Sequence, residues 1–214
     1  MKISEIFLSI SGESSGVGLL TTFIRMFGCN CDCTYCDSIY SIRGTDYEDL
    51  TIHEIMQRVH ELDCSRIILT GGEPLLIQSN AEDLIRRLVM EGYDVEIETN
   101  GAIDLKPFRK YSAQFTMDWK CPSSGMNDKM IFENLKVLNH HDVLKFVVGS
   151  KEDLEEALRI VPLTEAQCYL SPVFGKIEPA EIIEFMKEHK AVFKDARFQL
   201  QIHKFVYNPE ARGV

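Results

Sequence analysis

The sequence predicts an α/β fold of parallel strands joined by crossover helices, with the functional loops gathered at the carboxyl edge of the strands. Three observations carry that expectation. Short apolar runs such as Ile67-Ile68-Leu69 and Phe146-Val147-Val148 alternate with segments of helical periodicity. The unusual loops, rich in Gly, Pro and Cys, each follow a strand-like run. At 214 residues and 45% hydrophobic content the chain can bury one sizeable core, and no Pro/Gly/Ser-rich stretch divides residues 1–214, which read as a single domain.

The first core strand is Thr22-Phe23-Ile24-Arg25-Met26-Phe27, which runs straight into Gly28 and a cysteine loop. Thr51-Ile52-His53-Glu54 has the hydroxyl-to-carboxylate spacing of a capping box, and Ile52, Ile55, Met56, Val59 and Leu62 follow at helical spacing, so a helix covers residues 51–62. Next come a strand, Arg66-Ile67-Ile68-Leu69-Thr70, and a loop, Gly71-Gly72-Glu73-Pro74. A helix over 81–91 is then capped by Asn80 and stopped at Gly92. Further strands are expected near 95–99, 114–118, 143–148, 167–171 and 197–202, with helices near 131–138, 151–159 and 179–189. Parallel strands joined by helices place their carboxyl ends on one edge, where loops converge on a ligand. That edge receives the cysteine loop, Gly71-Gly72-Glu73-Pro74, Asn100-Gly101, Cys121-Pro122-Ser123-Ser124-Gly125, Pro172-Val173-Phe174-Gly175 and His203-Lys204.

Composition narrows the partners. The apolar runs are strand-length, far short of the roughly 20 residues that span a bilayer, so no membrane association is expected. The opening Met1-Lys2-Ile3-Ser4-Glu5 lacks the architecture of an export signal, which points to the cytoplasm. A formal charge of −10 without a dense Lys/Arg block argues against a nucleic-acid surface, and any anionic partner should be small and locally bound. Of 7 cysteines, four crowd into Cys29-Asn30-Cys31-Asp32-Cys33-Thr34-Tyr35-Cys36, a spacing ill suited to disulfides in a reducing compartment.

Thiolates at Cys29, Cys33 and Cys36 can wrap three corners of an iron-sulfur cubane and leave the fourth iron without a protein ligand. A sulfonium cofactor can chelate that iron through its amino and carboxylate groups, so that an electron enters and cleaves the bond to the 5′ carbon. The competing reading is zinc, but cysteine zinc sites typically pair two short motifs across a longer gap, and no second pair exists here. Cys31 reads as a passenger thiol, and Cys64, Cys121 and Cys168 as small buried hydrophobes.

With Tyr35 before the last cysteine of the loop, and Thr70-Gly71-Gly72-Glu73-Pro74 after the next strand, the sequence resembles the radical S-adenosylmethionine superfamily. The resemblance implies a partial or modified TIM-type barrel with its active site at the strand C-terminal edge. It also implies one 4Fe-4S cluster per chain, with S-adenosylmethionine beside it. Tyr35, Gly71, Gly72 and Glu73 would then bind the cofactor, Glu98 and Asn100 would approach its ribose and carboxylate, and Ser171, Pro172 and Val173 its adenine.

The opening Ile6-Phe7-Leu8-Ser9-Ile10-Ser11-Gly12-Glu13-Ser14, the block from Asp118-Trp119-Lys120 through Met126, and Gln201-Ile202-His203-Lys204 extend the likeness. On these the whole chain resembles the 7-carboxy-7-deazaguanine synthase family, although Ser11 and Ser14 replace a glutamine and a glycine usual there. The resemblance implies a lyase of queuosine and 7-deazapurine biosynthesis. It would contract 6-carboxy-5,6,7,8-tetrahydropterin to 7-carboxy-7-deazaguanine with loss of ammonia. A 5′-deoxyadenosyl radical removes and later returns a hydrogen at the carbon bearing the carboxylate. The resemblance further implies magnesium held by Ser38, a substrate held by Gly12, Glu13, Arg25 and His203, an external electron donor such as flavodoxin or ferredoxin, and a homodimer. Arg25 also stands out by itself, since it lies between Phe23-Ile24 and Met26-Phe27 and an unpaired buried guanidinium is costly. Its anion is either Glu13 or the substrate carboxylate, which arginine can grip with two parallel hydrogen bonds. His203 is expected at a strand end, and residues 210–214 are expected to fold over the pocket.

Two rivals remain at this level. An activase taking hydrogen from a glycine of a partner protein would share the cluster spacing. An iron-sulfur electron carrier or zinc module would leave Gly71-Gly72-Glu73-Pro74 unexplained.

Overall fold

The computed structural model describes residues 1–76, 78–209 and 211–214, with residues 78–80 described by their backbone alone. The described strands are β1 (Lys2–Ile10), β2 (Leu20–Met26), β3 (Glu48–Asp49), β4 (Arg66–Gly71), β5 (Asp94–Thr99), β6 (Gln114–Trp119), β7 (Val143–Val148), β8 (Gln167–Pro172) and β9 (Arg197–Phe198). They form one sheet in the order β3-β1-β2-β4-β5-β6-β7-β8-β9. From β2 to β9 every pairing is parallel.

The expected parallel sheet is extended at one edge, where β1 runs antiparallel to both β2 and β3. The link between β1 and β2 is too short for a crossover, which takes about a dozen residues or more, so it closes on itself as a hairpin loop. Ser11 N donates to Leu19 O at 2.8 Å and Gly18 N to Ser11 O at 2.8 Å.

The helices are α1 (Ile52–Leu62), α2 (Gln78–Met90), α3 (Asn134–Val137), α4 (Lys151–Ile160), α5 (Pro179–Glu188), α6 (Lys190–Phe193) and α7 (His203–Val206). The box at Thr51 is present: its hydroxyl accepts from Glu54 N, and the Glu54 carboxylate accepts from Thr51 N at 2.8 Å. Helix α2 starts at Gln78, so Asn80 sits within it and is not its cap; the Asn80 side chain lies outside the described residues. The helix expected over 131–138 is the single turn α3. Its buried Asn134 is committed to the preceding loop, donating to Gly101 O at 3.1 Å and Ile103 O at 2.8 Å.

The strand expected over 197–202 stops at Phe198, because the chain beyond it turns to the β1–β2 loop. Ser14 N donates to the Gln199 side chain at 2.7 Å, and Ile202 N to Gly12 O at 3.0 Å. His203 therefore opens α7 and does not end a strand. These bonds carry the β1–β2 loop across the open side of the sheet, where Ser14 Oγ meets Thr116 Oγ1 at 2.7 Å.

The two faces of the sheet differ. Ile24, Met26, Ile67, Leu69, Val95, Ile97, Phe115, Met117, Leu144, Phe146 and Leu170 join Ile55, Val59, Leu84, Leu88, Leu154 and Ile182 of the helices in one core. The alternate positions Arg25, Thr70, Glu98, Thr116, Asp118, Lys145 and Tyr169 point the other way, in the register Arg25↔Thr70, Glu98↔Thr116, Asp118↔Lys145 and Lys145↔Tyr169. The inner face of this partial barrel is thus polar. No helix among the described residues is long and apolar enough to cross a membrane.

Candidate functional site

Cys29, Cys33 and Cys36 follow β2 in one loop as free, half-buried thiols, while Cys31 is buried. Three neighbours hold the loop in place. Thr34 donates from its backbone to Ser124 O at 3.0 Å and from its hydroxyl to Ser123 O at 2.7 Å. The Tyr35 hydroxyl donates to Val147 O, near the end of β7, at 3.3 Å. Lys129 Nζ donates to Asn30 O at 2.6 Å.

Cys29 Sγ accepts from Cys31 N at 3.3 Å and from Asn100 Nδ2 at 3.5 Å. The neighbouring Cys31 thiol, opposed by burial and helped by these N–H donors, lowers the Cys29 thiol to about 6. Burial pushes the Cys33 and Cys36 thiols up. Three thiols spread along one loop suit separate corners of a cubane.

The Gly71-Gly72-Glu73 segment ends β4 against this loop, and its glycines are required by contact. Gly71 has φ +137°, and a Cβ there would lie 2.2 Å from Met26 O; a Cβ on Gly72 would lie 2.1 Å from Gly28 O. The close approach lets Gly72 N donate to Met26 O at 3.1 Å and Glu73 N to Gly28 O at 2.8 Å. Glu73 is 1% exposed. Its carboxylate accepts from Asn100 N at 2.7 Å, Leu75 N at 3.0 Å and the Thr99 hydroxyl at 2.9 Å. Burial outweighs these donors and raises the carboxyl to about 7.

Beside the loop lies the polar inner face. Lys145 Nζ sits 2.7 Å from Glu13 Oε1 and 3.0 Å from Asp118 Oδ1, and Lys120 Nζ sits 2.8 Å from Asp118 Oδ2. Burial works against the Lys145 charge, but Asp118, Glu13 and Glu98 outweigh it and keep the amine protonated. Gln201 Nε2 donates to Glu13 Oε2 at 3.2 Å. Glu98 accepts from the Thr70 hydroxyl at 2.8 Å, and burial raises its carboxyl to about 7.

Arg25 Nε donates to Glu5 Oε1 at 2.9 Å, and the Tyr40 hydroxyl donates to the same oxygen. Arg212 lies 3.8 Å over the Tyr40 ring, which brings the C-terminal segment to this corner; Glu210 lies outside the described residues. The His203 ring packs on Gly12, where a Cβ would fall 1.9 Å from Nδ1, and burial pushes the imidazole below its usual value.

The radical SAM superfamily model matches residues 23–187 of the chain. A 7-carboxy-7-deazaguanine synthase of Clostridium acetobutylicum is 42% identical, the match covering 100% of this chain and 99% of that protein. The chain belongs to the radical SAM superfamily, among the 7-carboxy-7-deazaguanine synthases. A synthase of the same name from Methanospirillum hungatei is 37% identical over 98% of this chain and 86% of its own. The crystal structure of QueE from Escherichia coli shares the fold with a TM-score of 0.73 at 18% identity, covering 93% of this chain and 92% of that one. Membership brings a 4Fe-4S cluster and S-adenosylmethionine as cofactors, and the three thiols of the cysteine loop suit the cluster.

Several radical SAM site residues expected from the sequence fall together. Glu13 and His203 share one side of the inner face with Gln201, and Gly12 O accepts from Ile202 N at 3.0 Å. Arg25 is paired with Glu5, not Glu13, and among the described residues no hydrogen bond or ion pair joins it to Glu13 or His203. Its Nε makes the bond to Glu5, and among the described residues no hydrogen bond engages its Nη atoms. The Asn100 amide is held on Cys29 Sγ at 3.5 Å, on Asn30 Oδ1 at 2.7 Å and on Ala102 N at 2.9 Å. Val173 N donates to Val148 O at 2.7 Å, following β8 through Pro172. Ser171 Oγ is buried with no partner among the described residues, an orphaned hydroxyl on the inner face. Ser38 donates to Asp37 Oδ1 at 3.1 Å, and Asp37 also takes Lys204 Nζ at 2.8 Å.

Sequence reasoning passed over Lys145 and Glu5, and treated Asp118, Lys120 and Gln201 only as parts of motif blocks. A signal was present for Lys145: a lysine inside the apolar run Val143-Leu144-Lys145-Phe146-Val147-Val148, on the same alternation as Asp118 in the neighbouring strand.

Proposed function

We propose that this chain converts 6-carboxy-5,6,7,8-tetrahydropterin to 7-carboxy-7-deazaguanine with loss of ammonia, as the names of its full-length relatives suggest. The observation that carries the reading is the juxtaposition of the cysteine loop with a small, densely charged inner face built around Glu13, Lys145 and Asp118. Cluster and S-adenosylmethionine, when bound, supply a 5′-deoxyadenosyl radical. Cys29, Cys33 and Cys36 would hold the cluster, and the Gly71-Gly72-Glu73 segment, packed against the cysteine loop, would bind the cofactor's methionine end. Tyr35 braces the loop, and the Ser171 hydroxyl, without a protein partner among the described residues, would with Pro172 and Val173 bind the adenine end. Glu98, on β5, would approach the cofactor's ribose.

Substrate recognition falls to Glu13, whose carboxylate Lys145 and Gln201 keep aimed at the amino-pyrimidinone edge of the pterin. The free Nη edge of Arg25 grips the substrate carboxylate, with His203 donating from the Gly12 side. The Ser38 hydroxyl would be the protein's contribution to a magnesium ion, an oxygen-preferring cation that would neutralise charge on the substrate. An external reductant such as flavodoxin or ferredoxin, a homodimer and a cytoplasmic setting complete the reading. The activase alternative is less supported, because full-length relatives carry the synthase name.

The test is anaerobic incubation of the reconstituted, reduced protein with S-adenosylmethionine, magnesium and 6-carboxy-5,6,7,8-tetrahydropterin, following product by mass spectrometry. Product that requires all three additions supports the proposal. Cofactor cleavage without product would keep the radical chemistry and reject this substrate, whereas a cluster-loaded protein that gives neither would reject both.

A further inference from the structure

The Asn100 side chain occupies a position that its expected contact with the cofactor does not explain. Its Oδ1 accepts from Ala102 N at 2.9 Å, which fixes the amide orientation and turns Nδ2 toward Asn30 Oδ1 at 2.7 Å and Cys29 Sγ at 3.5 Å. A flipped amide would set its oxygen against both the Asn30 oxygen and the sulfur, so the orientation follows from the network. The residue is only 5% exposed, and its backbone N–H is held by Glu73 Oε2 at 2.7 Å. Asn30 in turn donates to Ala102 O at 3.3 Å. Among the described residues, Asn100 is the one side chain whose N–H is directed at a thiol of the Cys29, Cys33 and Cys36 set.

We propose that Asn100 is a positioning residue that sets the reduction potential of the cluster, by donating an N–H hydrogen bond to the Cys29 ligand sulfur. The inference rests on cluster ligation by Cys29. An N–H dipole aimed at a ligand sulfur stabilises the extra negative charge of the reduced cluster, and hydrogen bonds to the sulfurs are among the determinants of iron-sulfur potentials. Cys31 N makes a second such bond, but as a backbone group it is present whatever the side chain. The Cys31 thiol also neighbours that sulfur, and Asn100 is the amide donor of this shell that substitution can remove. Through Glu73 the same residue ties the Gly71-Gly72-Glu73 segment to the cluster loop, so electron entry and cofactor seating share one hinge point.

The experiment is an anaerobic redox titration of the reconstituted full-length protein, monitored by electron paramagnetic resonance before any S-adenosylmethionine is added, so that a lost cofactor contact cannot produce the shift. Asn100→Ala should bind a full cluster with a midpoint more negative by about 60 mV, the one-electron equivalent of a tenfold loss in reduction equilibrium. Asn100→Asp keeps the shape and the acceptor for Ala102 N but replaces the donor by an oxygen, and should move the midpoint at least as far. Asn30→Ala removes the neighbouring tie and leaves the bond to sulfur, so it should leave the midpoint where it is while speeding iron release to a chelator. Unchanged midpoints in both Asn100 variants, or an equal shift in Asn30→Ala, would overturn the proposal. Loss of cluster uptake in both Asn100 variants would overturn it too, making the residue a structural tie. A parent protein that takes up no cluster would instead overturn the cluster assignment on which the proposal rests.

Discussion

Glu73 is legible as part of a motif, while the contacts of its carboxylate are set by the fold. The Gly-Gly-Glu-Pro pattern marks the loop, but the sequence does not reveal that the carboxylate turns inward, to Asn100 N, Leu75 N and Thr99. Because burial raises this carboxyl from 4.5 to about 7, its contribution to stability is fully present below the unfolded value and is lost as pH rises through the folded one. Glu73→Gln cannot ionise. Measured by urea melts at about pH 5 and about pH 8, the stability of the variant relative to the parent should rise with pH by about 2 to 3 kcal/mol, on top of a constant loss from imperfect hydrogen bonding. Parallel pH profiles would mean that Glu73 does not change protonation in that range. Arg25 is a similar case, since its need for an anion is visible in sequence while the identity of that anion, Glu5 on the antiparallel neighbour, depends on strand register.

Helix caps link the elements to the site. Helix α4 begins with a box in which Ser150 Oγ accepts from Asp153 N, and the buried Asp153 carboxylate accepts from Ser123 N at 2.9 Å, Gly149 N at 2.7 Å and the Ser123 hydroxyl. Ser123 and Ser124 in turn supply the carbonyls that hold Thr34 of the cysteine loop. Asp153→Ala should therefore cost about 2 to 4 kcal/mol, by leaving several N–H donors unpaired, and should speed iron release from the loaded protein. Thr51→Ala removes the equivalent box of α1, whose cap bonds stay within residues 51 and 54, and should cost only about 1 kcal/mol with iron release unchanged. Equal iron release in the two variants would show that α4 does not support the loop. The α1 box was readable because its hydroxyl and carboxylate are local in sequence. That of α4, reaching back to residue 123, takes its meaning from the fold.

Across the whole molecule, the inner face is held by opposite charges drawn from distant strands. Lys145 joins Glu13 of the β1–β2 loop to Asp118 of β6. Lys145→Met leaves Glu13 without its cation and Asp118 with Lys120 alone, and should destabilise the protein by about 3 to 5 kcal/mol in denaturant melts, with Lys145→Met combined with Glu13→Gln recovering part of the loss. A loss below about 1 kcal/mol would mean that water screens the network. The strand and helix alternation, the cysteine loop, the Gly-Gly-Glu turn and most crossover helices were determined by the sequence, because apolar periodicity and turn chemistry are local properties. The tertiary structure alone decided the antiparallel β1, the early end of β9 that places His203 on α7, and the partners of Arg25, Asn100 and Lys145. Those depend on which strands lie side by side and in what register, and side-chain pairing between strands is fixed only when the sheet closes around its polar face.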